Sequence, residues 1–510
     1  MNITGLAGSL PGRRVLEGFI PVIDPASAVI LNTLLEDPRF PPGAGIKPAA
    51  ALHVLGALAP VARNMTFNLL FPRRGRIRLQ KIVDRSYDQI KARYAGAADL
   101  SELVTVIQDG VVGQIAELMP VLVAGVASGP GAPLQILTGL AEQVPQGPQL
   151  VMDLTRGLPY NITTEMDLAL WQAARAILSD ASAAAHFRET QIPELVSAYR
   201  LGNLPPAAQS ALAGFIKIYG MRGVGEIDLG RPRWYEDPTP LIQVLKSYLQ
   251  IDESASPEAI FRAGAEKAQL AEKQLVAAIR AGRGGWLKGG LARFLACRFR
   301  QLGGLREAPK FAIVQRLGIL HLALLAAGGR LVEQGLLAAS QDIFFLHLAE
   351  LQALAAGEKW DWKQLILERR AVYERELHRK RLPRLMLSDG STYYDAPLPS
   401  APEDENTLTG SPVSAGVVEG LVHVVFDPYK VQLAPGEILV CPATDPAWTP
   451  LFLAAGGLVM ELGGMMTHGS VVAREYGIPA IVGVPQATQR LVTGQKVRVD
   501  GTAGRIVILG

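Results

Sequence analysis

A single histidine, His468, stands between the Gly463-Gly464 pair and a segment, residues 470–476, whose pattern predicts a short helix that Gly477 ends. A neutral imidazole is nucleophilic near pH 7, since its reference pKa is about 6.5. The start of a helix offers free backbone N–H groups that hold phosphate oxygens well. The pattern therefore predicts a nucleophile that carries a phosphoryl group; the alternative is a helix-capping or buried histidine.

The residues that flank this histidine could bind the transferred group. The backbone N–H groups of Gly469, Ser470 and Val471 would face whatever is attached to the ring, and the hydroxyls of Thr467 and Ser470 could add donors. An apolar strand is predicted just before, at residues 457–460. We therefore expect Thr467, Gly469 and Ser470 to bind the phosphoryl group.

Two motifs around the histidine resemble those of a known family. The run TDPAWTPLF, residues 444–452, and the run GGMMTHGSVVAREYGIPAIVGV, residues 463–484, closely resemble the phosphohistidine domain of the PEP-utilising enzymes. The second run looks most like rifampicin phosphotransferases and the phosphoenolpyruvate synthases similar to them. The resemblance implies that His468 carries a phosphoryl group from an ATP site to an acceptor site, on a domain that swivels. It also implies that the full reaction needs ATP and Mg²⁺.

Two cations earlier in the chain are candidates for stabilising that group. Arg306 and Lys310 are four residues apart, so on a continuous helix they would project from one face. Two such charges could offset the negative charge of a phosphoryl group in transfer, although a charged helix surface has the same pattern. The resemblance implies an acceptor-domain helix with the pattern R-E-x-x-K opposite the phosphohistidine. In that arrangement Glu307 would orient a cation or accept the proton of the acceptor hydroxyl.

A glycine-rich segment, residues 219–241, contains a second pair of opposite charges, Arg222 and Glu226. Its glycines and alternating charges predict a structured loop. The pair could be a structural salt bridge or part of a binding site. The resemblance implies that this loop lies in the substrate-binding region, so we take both residues as substrate-binding candidates.

Composition limits the partners and the location. A net charge of +3 over 510 residues gives no electrostatic case for nucleic acid. The two cysteines, Cys297 and Cys441, lie far apart, and the seven histidines form no HxH or HxxxH pair, which favours a reducing compartment and disfavours a metal cage. Residues 118–141 are apolar but interrupted by prolines, so we expect no membrane span. With no signal-peptide pattern at its start, the chain is expected to be cytoplasmic.

The hydrophobic pattern divides the chain into three parts. Residues 1–385 read as packed helices, with a division into two subdomains near residue 150 left open, and Ser256-Pro257 predicts the start of a long helix. Residues 386–410 predict a linker, and residues 411–510 predict short strands with one or two helices. The expected fold is a large, mainly α-helical domain followed by a small α/β phosphohistidine domain of the swivelling β/β/α type.

Two domains that occur in the enzymes this sequence resembles are not found in it. No GxxxxGK[ST] motif and no glycine-rich strand-loop-strand with paired carboxylates occurs, so the ATP-grasp domain is expected to be a separate or missing partner. The chain also ends 26 residues after Val484, which leaves no room for the α/β barrel of phosphoenolpyruvate synthases.

The sequence therefore predicts a phosphotransferase component of the dikinase type. It would relay a phosphoryl group from ATP through His468 to an apolar, hydroxyl-bearing small molecule bound among the helices. One alternative is a phosphoenolpyruvate synthase-type activity on pyruvate. The other is a non-catalytic phosphocarrier or ligand-binding remnant.

Overall fold

The chain changes from helices to strands after about residue 380, where the period of the apolar residues changes. The structure is a computed structural model that describes residues 12–14, 16–17, 25–38, 48–251, 253, 256–282, 284–379, 383, 385–394, 406–428, 431, 433–444, 448–464 and 467–509. For a few of these residues, among them His468, the description covers the backbone alone.

Helices make up residues 25–379, which we name the helical region. In chain order, α1 to α16 are Pro25–Glu36, Pro48–Leu70, Pro72–Gly96, Leu100–Val126, Ala132–Ala141, Gly147–Leu154, Ile162–Leu178, Ala181–Glu189, Ile192–Leu201, Pro206–Tyr219, Thr239–Tyr248, Pro257–Ala281, Gly285–Leu302, Ala308–Glu333, Leu348–Ala355 and Trp362–Leu377. A π-helical turn, Ala127–Gly131, joins α4 to α5, and 3-10 turns, Gly303–Glu307 and Ser340–Phe345, flank α14.

Side-chain caps begin two of the helices that bear on the site. Ser256 Oγ accepts a hydrogen bond from the N–H of Ala259 at 3.2 Å, and Pro257 follows as the first residue of α12, as the sequence predicts. Asn161 Oδ1 accepts from the N–H of Thr163 at 3.1 Å at the start of α7. Each cap supplies an acceptor for an N–H group that has no partner inside its own helix.

Apolar cores join distant parts of the helical region. One core joins α3 and α4 to α14, α15 and α16, and another joins α5 and α6 to α12 and α13. A third core lies among α7 to α11. A division near residue 150 does not fit this packing, because helices before that residue share their cores with helices that follow residue 256.

In the described part of the chain, two helical stretches are long and apolar enough to cross a membrane by length and composition. They are Glu117–Ala141 and Gly285–Glu333, whose most apolar windows are 44% and 56% buried. Both stretches supply side chains to the helical cores, as the long inner helices of a folded domain do. They are therefore weak evidence for a membrane span.

Strands and short helices make up residues 407–509, which we name the C-terminal domain. A separate hairpin precedes it, with β1 at Leu385–Met386 and β2 at Thr392–Tyr393. Strands β3 to β10 are Thr407–Thr409, Ser411–Ser414, Val417–Val424, Ile438–Cys441, Gly457–Met460, Ala480–Val482, Lys496–Asp500 and Arg505–Ile508, and helices α17 to α19 are Thr449–Ala454, His468–Tyr476 and Ala487–Arg490. The strands form one sheet in the order β3-β10-β9-β5-β6-β7-β8-β4.

The centre of this sheet is parallel and buried on both faces. Neighbours from β5 through β8 are parallel, and the outer pairs are antiparallel. Every residue of β6, β7 and β8 is buried, which explains their continuous apolar runs. One face packs against α17 and α18, and the other contacts α19. The predicted fold, a large helical part followed by a small α/β domain, is confirmed.

Strands β3 and β4 follow each other in the chain but stand at opposite ends of the sheet order. Only Gly410 separates Thr409 from Ser411. The N–H of Gly410 donates to the carbonyl of Gly504, beside β10, at 3.0 Å, and a Cβ on Gly410 would lie 2.7 Å from the carbonyl oxygen of Val482 in β8. The sheet therefore curls until its two ends meet at this glycine.

The segment predicted as a linker, residues 386–410, contains regular structure. Strand β2 pairs with β1, and β3 pairs with β10 as part of the sheet. Residues 395–405 lie outside the described part of the chain. Because β3 belongs to the sheet, the C-terminal domain includes Thr407–Thr409, which precede the predicted boundary at residue 411.

Candidate functional site

Helix α18 begins at His468, two residues earlier than the sequence predicts. The loop before it turns at Gly463, whose φ is +132° and whose missing Cβ would lie 2.9 Å from Thr467 Oγ1, so glycine is required there. Because β7 is one of the parallel strands, His468 lies at their carboxyl edge, where α/β sheets form binding sites. The imidazole itself lies outside the described atoms.

The two motifs that carry the family resemblance meet at this edge. Thr444 follows β6, and its hydroxyl donates to the sulfur of Met460, the last residue of β7, at 3.4 Å. A Cβ on Gly469 would contact Thr444 Oγ1 and would lie 2.8 Å from Met460 Sδ. Gly469 therefore lets the first turn of α18 pack closely on the ends of two neighbouring strands.

The hydroxyls beside the histidine hold the loop. Thr467 Oγ1 and Ser470 Oγ lie 2.9 Å and 2.8 Å from the carbonyl oxygen of Gly464, and 2.9 Å from each other. The N–H of Val471 donates to the carbonyl of Thr467 at 3.1 Å, within the helix. The N–H groups of Gly469 and Ser470 belong to the first turn of the helix, where N–H groups have no acceptor inside the helix. Backbone N–H groups, rather than the hydroxyls, are therefore the donors at this helix start.

The last turn of α18 packs on the helical region. The hydroxyl of Tyr476 donates to Asp167 in the first turns of α7. From the same helix, Thr164 Oγ1 donates to Glu475 Oε2 at 2.7 Å. No hydrogen-bond partner for the buried Oε1 of Glu475 lies among the described residues. Side chains of α7 and α18 thus form a buried polar contact between the two parts of the chain.

A backbone contact supports the same surface. Arg156 Nη1 donates to the carbonyl of Arg474 at 2.7 Å, and Arg156 Nε donates to Asp153 at 3.0 Å. The guanidinium of Arg474 is turned the other way, with Nη1 donating to the carbonyl of Val413 in β4 at 3.1 Å. Helix α18 is therefore held from both sides near its C-terminal end.

Burial perturbs the ionisable groups at this contact. It raises the pKa of Glu475 to about 7, and Asp167 adds to the rise, whereas the Thr164 hydrogen bond and the charges of Arg474 and Arg306 oppose it. Burial lowers the pKa of Arg474 to about 9, and Arg306 contributes in the same direction. Arg306 is therefore close enough to act electrostatically on the last turns of α18.

A second polar cluster lies under the loop of residues 219–241. Arg222 donates from Nε and Nη2 to the two carboxylate oxygens of Glu226 at 3.1 Å and 3.0 Å, and Lys310 Nζ lies 3.1 Å from Glu226 Oε1. Burial raises the pKa of Glu226, but Arg222 and Lys310 overcome this effect and lower it to about 2. Glu226 is therefore ionised at neutral pH and binds two cations, so that the three groups carry one net positive charge.

Arg306 and Lys310 do not lie on one continuous α-helix, which is the condition under which the sequence predicted a common face. Arg306 lies in the 3-10 turn before α14. Helix α14 begins at Ala308, and Pro309 lies in its first turn, where its missing N–H is not needed. Arg306 forms an ion pair with its neighbour Glu307. Each cation therefore has its own carboxylate, Glu307 for Arg306 and Glu226 for Lys310.

Two sequence profiles match this chain. Residues 118–307 match the fourth domain of rifampicin phosphotransferase, and residues 433–504 match the mobile domain of PEP-utilising enzymes. The first match includes α7 and Arg306, and the second includes α18 with His468. The chain belongs to the PEP-utilising enzyme family.

Curated relatives of this PEP-utilising chain have names that refer to different activities. The rifampicin phosphotransferase of Streptomyces sviceus is 37% identical over 358 residues, 70% of this chain and 41% of its own length. That of Bacillus subtilis is 34% identical over 360 residues, with the same coverage. A prodigiosin synthesizing transferase of Serratia marcescens is 31% identical over 59% of this chain and 33% of its own. The chain thus spans about two fifths of the length of the rifampicin phosphotransferases it matches.

The Mg²⁺ expected for a PEP-utilising enzyme finds no ligand set in the described part of the chain. Among those residues, no group of three or more His, Cys, Asp or Glu side chains is arranged to hold a metal ion.

An apolar groove of about 320 Å³ lies between α3 and α14. Its lining includes Met221, Ile319 and Leu322, with Lys91 and Arg330 among the contributing residues. Ile319 follows Lys310 by nine residues, which is about 13 Å along a helix. Met221 of the lining directly precedes Arg222 in the chain, so the groove and the cluster around Glu226 share the loop of residues 219–241.

The residues that join α18 to the helical region were not predicted from the sequence. They are Arg156, Thr164, Asp167, Glu475 and Tyr476. One signal was available, since Asp167 falls on the apolar stripe of α7, three residues before the buried Leu170 and seven before Ala174. An acidic residue on such a stripe needs a buried hydrogen-bond donor.

Proposed function

We propose that this chain is a phosphotransferase component in which His468 receives a phosphoryl group and passes it to a hydroxyl of a small molecule held by the helical region. The observation that carries the proposal is the contact of α18 with α7. Helix α18 begins at His468, and its last turn packs on residues that match the fourth domain of rifampicin phosphotransferase. The carrier helix and the proposed acceptor region are therefore in direct contact.

In the proposed transfer, the acceptor oxygen forms a bond to phosphorus as the bond from phosphorus to the imidazole nitrogen breaks. The electron pair of that bond returns to the ring nitrogen, and the hydroxyl proton goes to a carboxylate, for which Glu307 is the candidate. Arg306 and Lys310 stabilise the negative charge on the phosphoryl oxygens. Arg222 and Glu226 support this function through Lys310, which Glu226 holds.

Backbone N–H groups at the start of α18 are proposed to bind the phosphoryl group. Those of Gly469 and Ser470 have no acceptor inside the helix. Thr467 and Ser470 hold the loop through Gly464. The two hydroxyls thus hold the loop in place, and the backbone N–H groups stay in position to bind the phosphoryl group.

We propose that the phosphoryl group comes from the β position of ATP, bound with Mg²⁺ by an ATP-grasp part outside the described residues. The proposed acceptor is an apolar compound with a hydroxyl group, as the names of the rifampicin phosphotransferase relatives suggest. The Serratia relative is named a prodigiosin synthesizing transferase, so the acceptor has to be found by experiment.

The test charges the histidine without any nucleotide partner. Phosphoramidate transfers its phosphoryl group to accessible imidazoles, so the chain is treated with it and the phosphorylated residue is located by mass spectrometry. We expect an acid-labile, base-stable phosphoryl group on His468, and a His468→Gln variant that stays unlabelled at that peptide. Failure to label residue 468 in the wild type would overturn the proposal.

The second step of the test adds an acceptor to the charged protein. Rifampicin is the probe, and the expected result is loss of the phosphoryl group from His468 with formation of phosphorylated rifampicin. Charging without transfer to rifampicin or to other apolar alcohols would favour the competing function, a phosphocarrier that lacks an acceptor site.

A further inference from the structure

Asp167 stands at the contact between the two parts of the chain with both carboxylate oxygens used. Oδ1 accepts a hydrogen bond from the hydroxyl of Tyr248, and Oδ2 accepts one from the hydroxyl of Tyr476. Tyr248 belongs to α11 of the helical region, whereas Tyr476 belongs to α18. One carboxylate therefore joins a tyrosine of its own region to a tyrosine of the C-terminal domain.

Tyr248 holds Asp167 from within the helical region. Tyr248 is fully buried and packs edge-on against Trp171 of α7, with ring centroids 5.6 Å apart. Its hydrogen bond orients the carboxylate from inside the helical core, so the second oxygen is held ready for a donor that arrives from outside. Such preorganisation reduces the entropy lost on docking.

The contact acts on His468 through the rigidity of α18. Tyr476 follows His468 by eight residues, about 12 Å along a helix. The Tyr476 hydrogen bond fixes one end of this helix, and two neighbouring contacts, Thr164 with Glu475 and Arg156 with the Arg474 carbonyl, oppose its rotation. The position of the other end then follows, because an α-helix of nine residues bends little.

We propose that Asp167 is a positioning residue, which docks the C-terminal domain on the helical region by accepting the hydroxyl of Tyr476 and so sets where His468 is presented. The docking itself needs no phosphoryl chemistry. Its consequence for transfer rests on the proposed function.

The first test measures docking alone. Cysteines are placed at the exposed positions Ser182 and Val492 in a Cys297→Ser background and are spin-labelled. Pulsed electron paramagnetic resonance then measures the distance between the helical region and the C-terminal domain. Urea below the unfolding transition is used to find conditions at which docked and undocked distances are both present. We expect Tyr476→Phe, and likewise Asp167→Asn, to lower the docked-to-undocked ratio about tenfold or more, the loss expected for a hydrogen bond to a carboxylate.

Two matched tyrosine variants separate docking from general stability. Tyr248→Phe removes the other hydrogen bond to the same carboxylate and is expected to lower the unfolding midpoint while changing the docked ratio less than Tyr476→Phe does. Tyr199→Phe, at a half-buried tyrosine of the helical region, should change neither. An unchanged ratio in Tyr476→Phe would overturn the proposal, as would a wild-type distance that stays single until the whole chain unfolds.

The second test separates this proposal from the proposed function. With phosphoramidate as the donor, Tyr476→Phe should charge His468 at the wild-type rate but transfer to rifampicin about tenfold more slowly. If the wild type cannot be charged, the proposed function fails while the distance measurement still decides the docking. If transfer is unchanged although docking is lost, the positioning role fails and the proposed function stands.

Discussion

The ammonium group of Lys310 lies 3.1 Å from Oε1 of Glu226, a carboxylate that is 2% exposed and also binds Arg222. A cation at the edge of the helical region is therefore positioned by a buried ion pair beneath it. Burial of such a pair costs desolvation energy, and it is stable only while both partners are present.

Loss of the Glu226 charge should destabilise the helical region. In Glu226→Gln the buried guanidinium of Arg222 loses its ionic partner, and we expect the free energy of unfolding to fall by about 3–5 kcal/mol. Urea denaturation followed by circular dichroism measures this. Glu350→Gln is the matched control, since Glu350 and Arg369 are partly exposed, and its cost should stay below about 1 kcal/mol. Equal costs for the two variants would contradict the role given to burial.

Removal of the Lys310 charge should affect transfer more than folding. In Lys310→Met, Glu226 keeps its two hydrogen bonds to Arg222, so the fold should persist. Loss of one charge that stabilises the phosphoryl oxygens should slow transfer from phospho-His468 to an acceptor about 10²-fold or more. Charging by phosphoramidate should be unchanged.

The control for that variant is Lys267→Met, which removes a half-exposed lysine paired with Asp153. Its transfer rate should match that of the wild type. A transfer rate in Lys310→Met equal to that of this control would remove Lys310 from the proposed mechanism.

A side chain at Gly469 should disturb the junction of the two motif loops. A Cβ there would overlap Thr444 Oγ1 and approach the buried Met460 sulfur at 2.8 Å, so Gly469→Ala should cost about 1–3 kcal/mol by overpacking. It should also slow charging of His468, because the first turn of α18 must shift. Gly214→Ala, on α10 with open space around the new methyl group, should be neutral or stabilising by about 0.5–1 kcal/mol.

Docking of the C-terminal domain should depend on pH through Glu475. Its carboxyl has a pKa of about 7 when docked, and an ordinary value near 4.5 when exposed. Docking therefore takes up a proton, so that its favourable contribution is complete below pH 4.5 and is lost as pH rises through 7. The docked-to-undocked ratio should fall roughly 10²- to 10³-fold over this range.

The spin-label distance measured from pH 5 to pH 8 tests this, and Glu475→Gln should flatten the profile. Other ionisable groups act on Glu475 or respond to it. They are Asp167 on α7, Arg306 in the 3-10 turn, Arg300 on α13, and Arg474 and Tyr476 on α18, and burial raises the pKa of Tyr476 well above its usual value. Since the arginines stay charged through this range and Asp167 remains in the variant, a slope that survives in Glu475→Gln would assign the effect to Asp167 instead.

Local patterns predicted local structure well. The sequence predicted the cap at Ser256, the glycine-bounded helix after β7 and the short strands of the C-terminal domain, because each depends on neighbours within a few positions. It failed where residues far apart in the chain meet. The pairing of Glu226 with Lys310 crosses 84 positions, and that of Asp167 with Tyr476 crosses 309. The side-chain placement of His468 stays a prediction.

The four-residue spacing of Arg306 and Lys310 did not correspond to one continuous α-helix, for a different reason. Spacing implies a shared face only where one helix type continues. Here the 3-10 turn that contains Arg306 ends, and α14 begins at Ala308, between the two residues. The predicted linker was too long at its end because a three-residue strand, β3, has too few residues to show alternation.

The single glycine between β3 and β4 has a consequence for a domain proposed to move. A sheet normally ends in two rows of unpaired amide and carbonyl groups, which invite another chain to add itself there. In this domain the two terminal strands, β3 and β4, are three and four residues long and converge on Gly410. The unpaired rows on these strands are therefore short, and the two edges of the sheet lie close together at this glycine. A carrier built this way can leave its partner repeatedly with little risk of self-association.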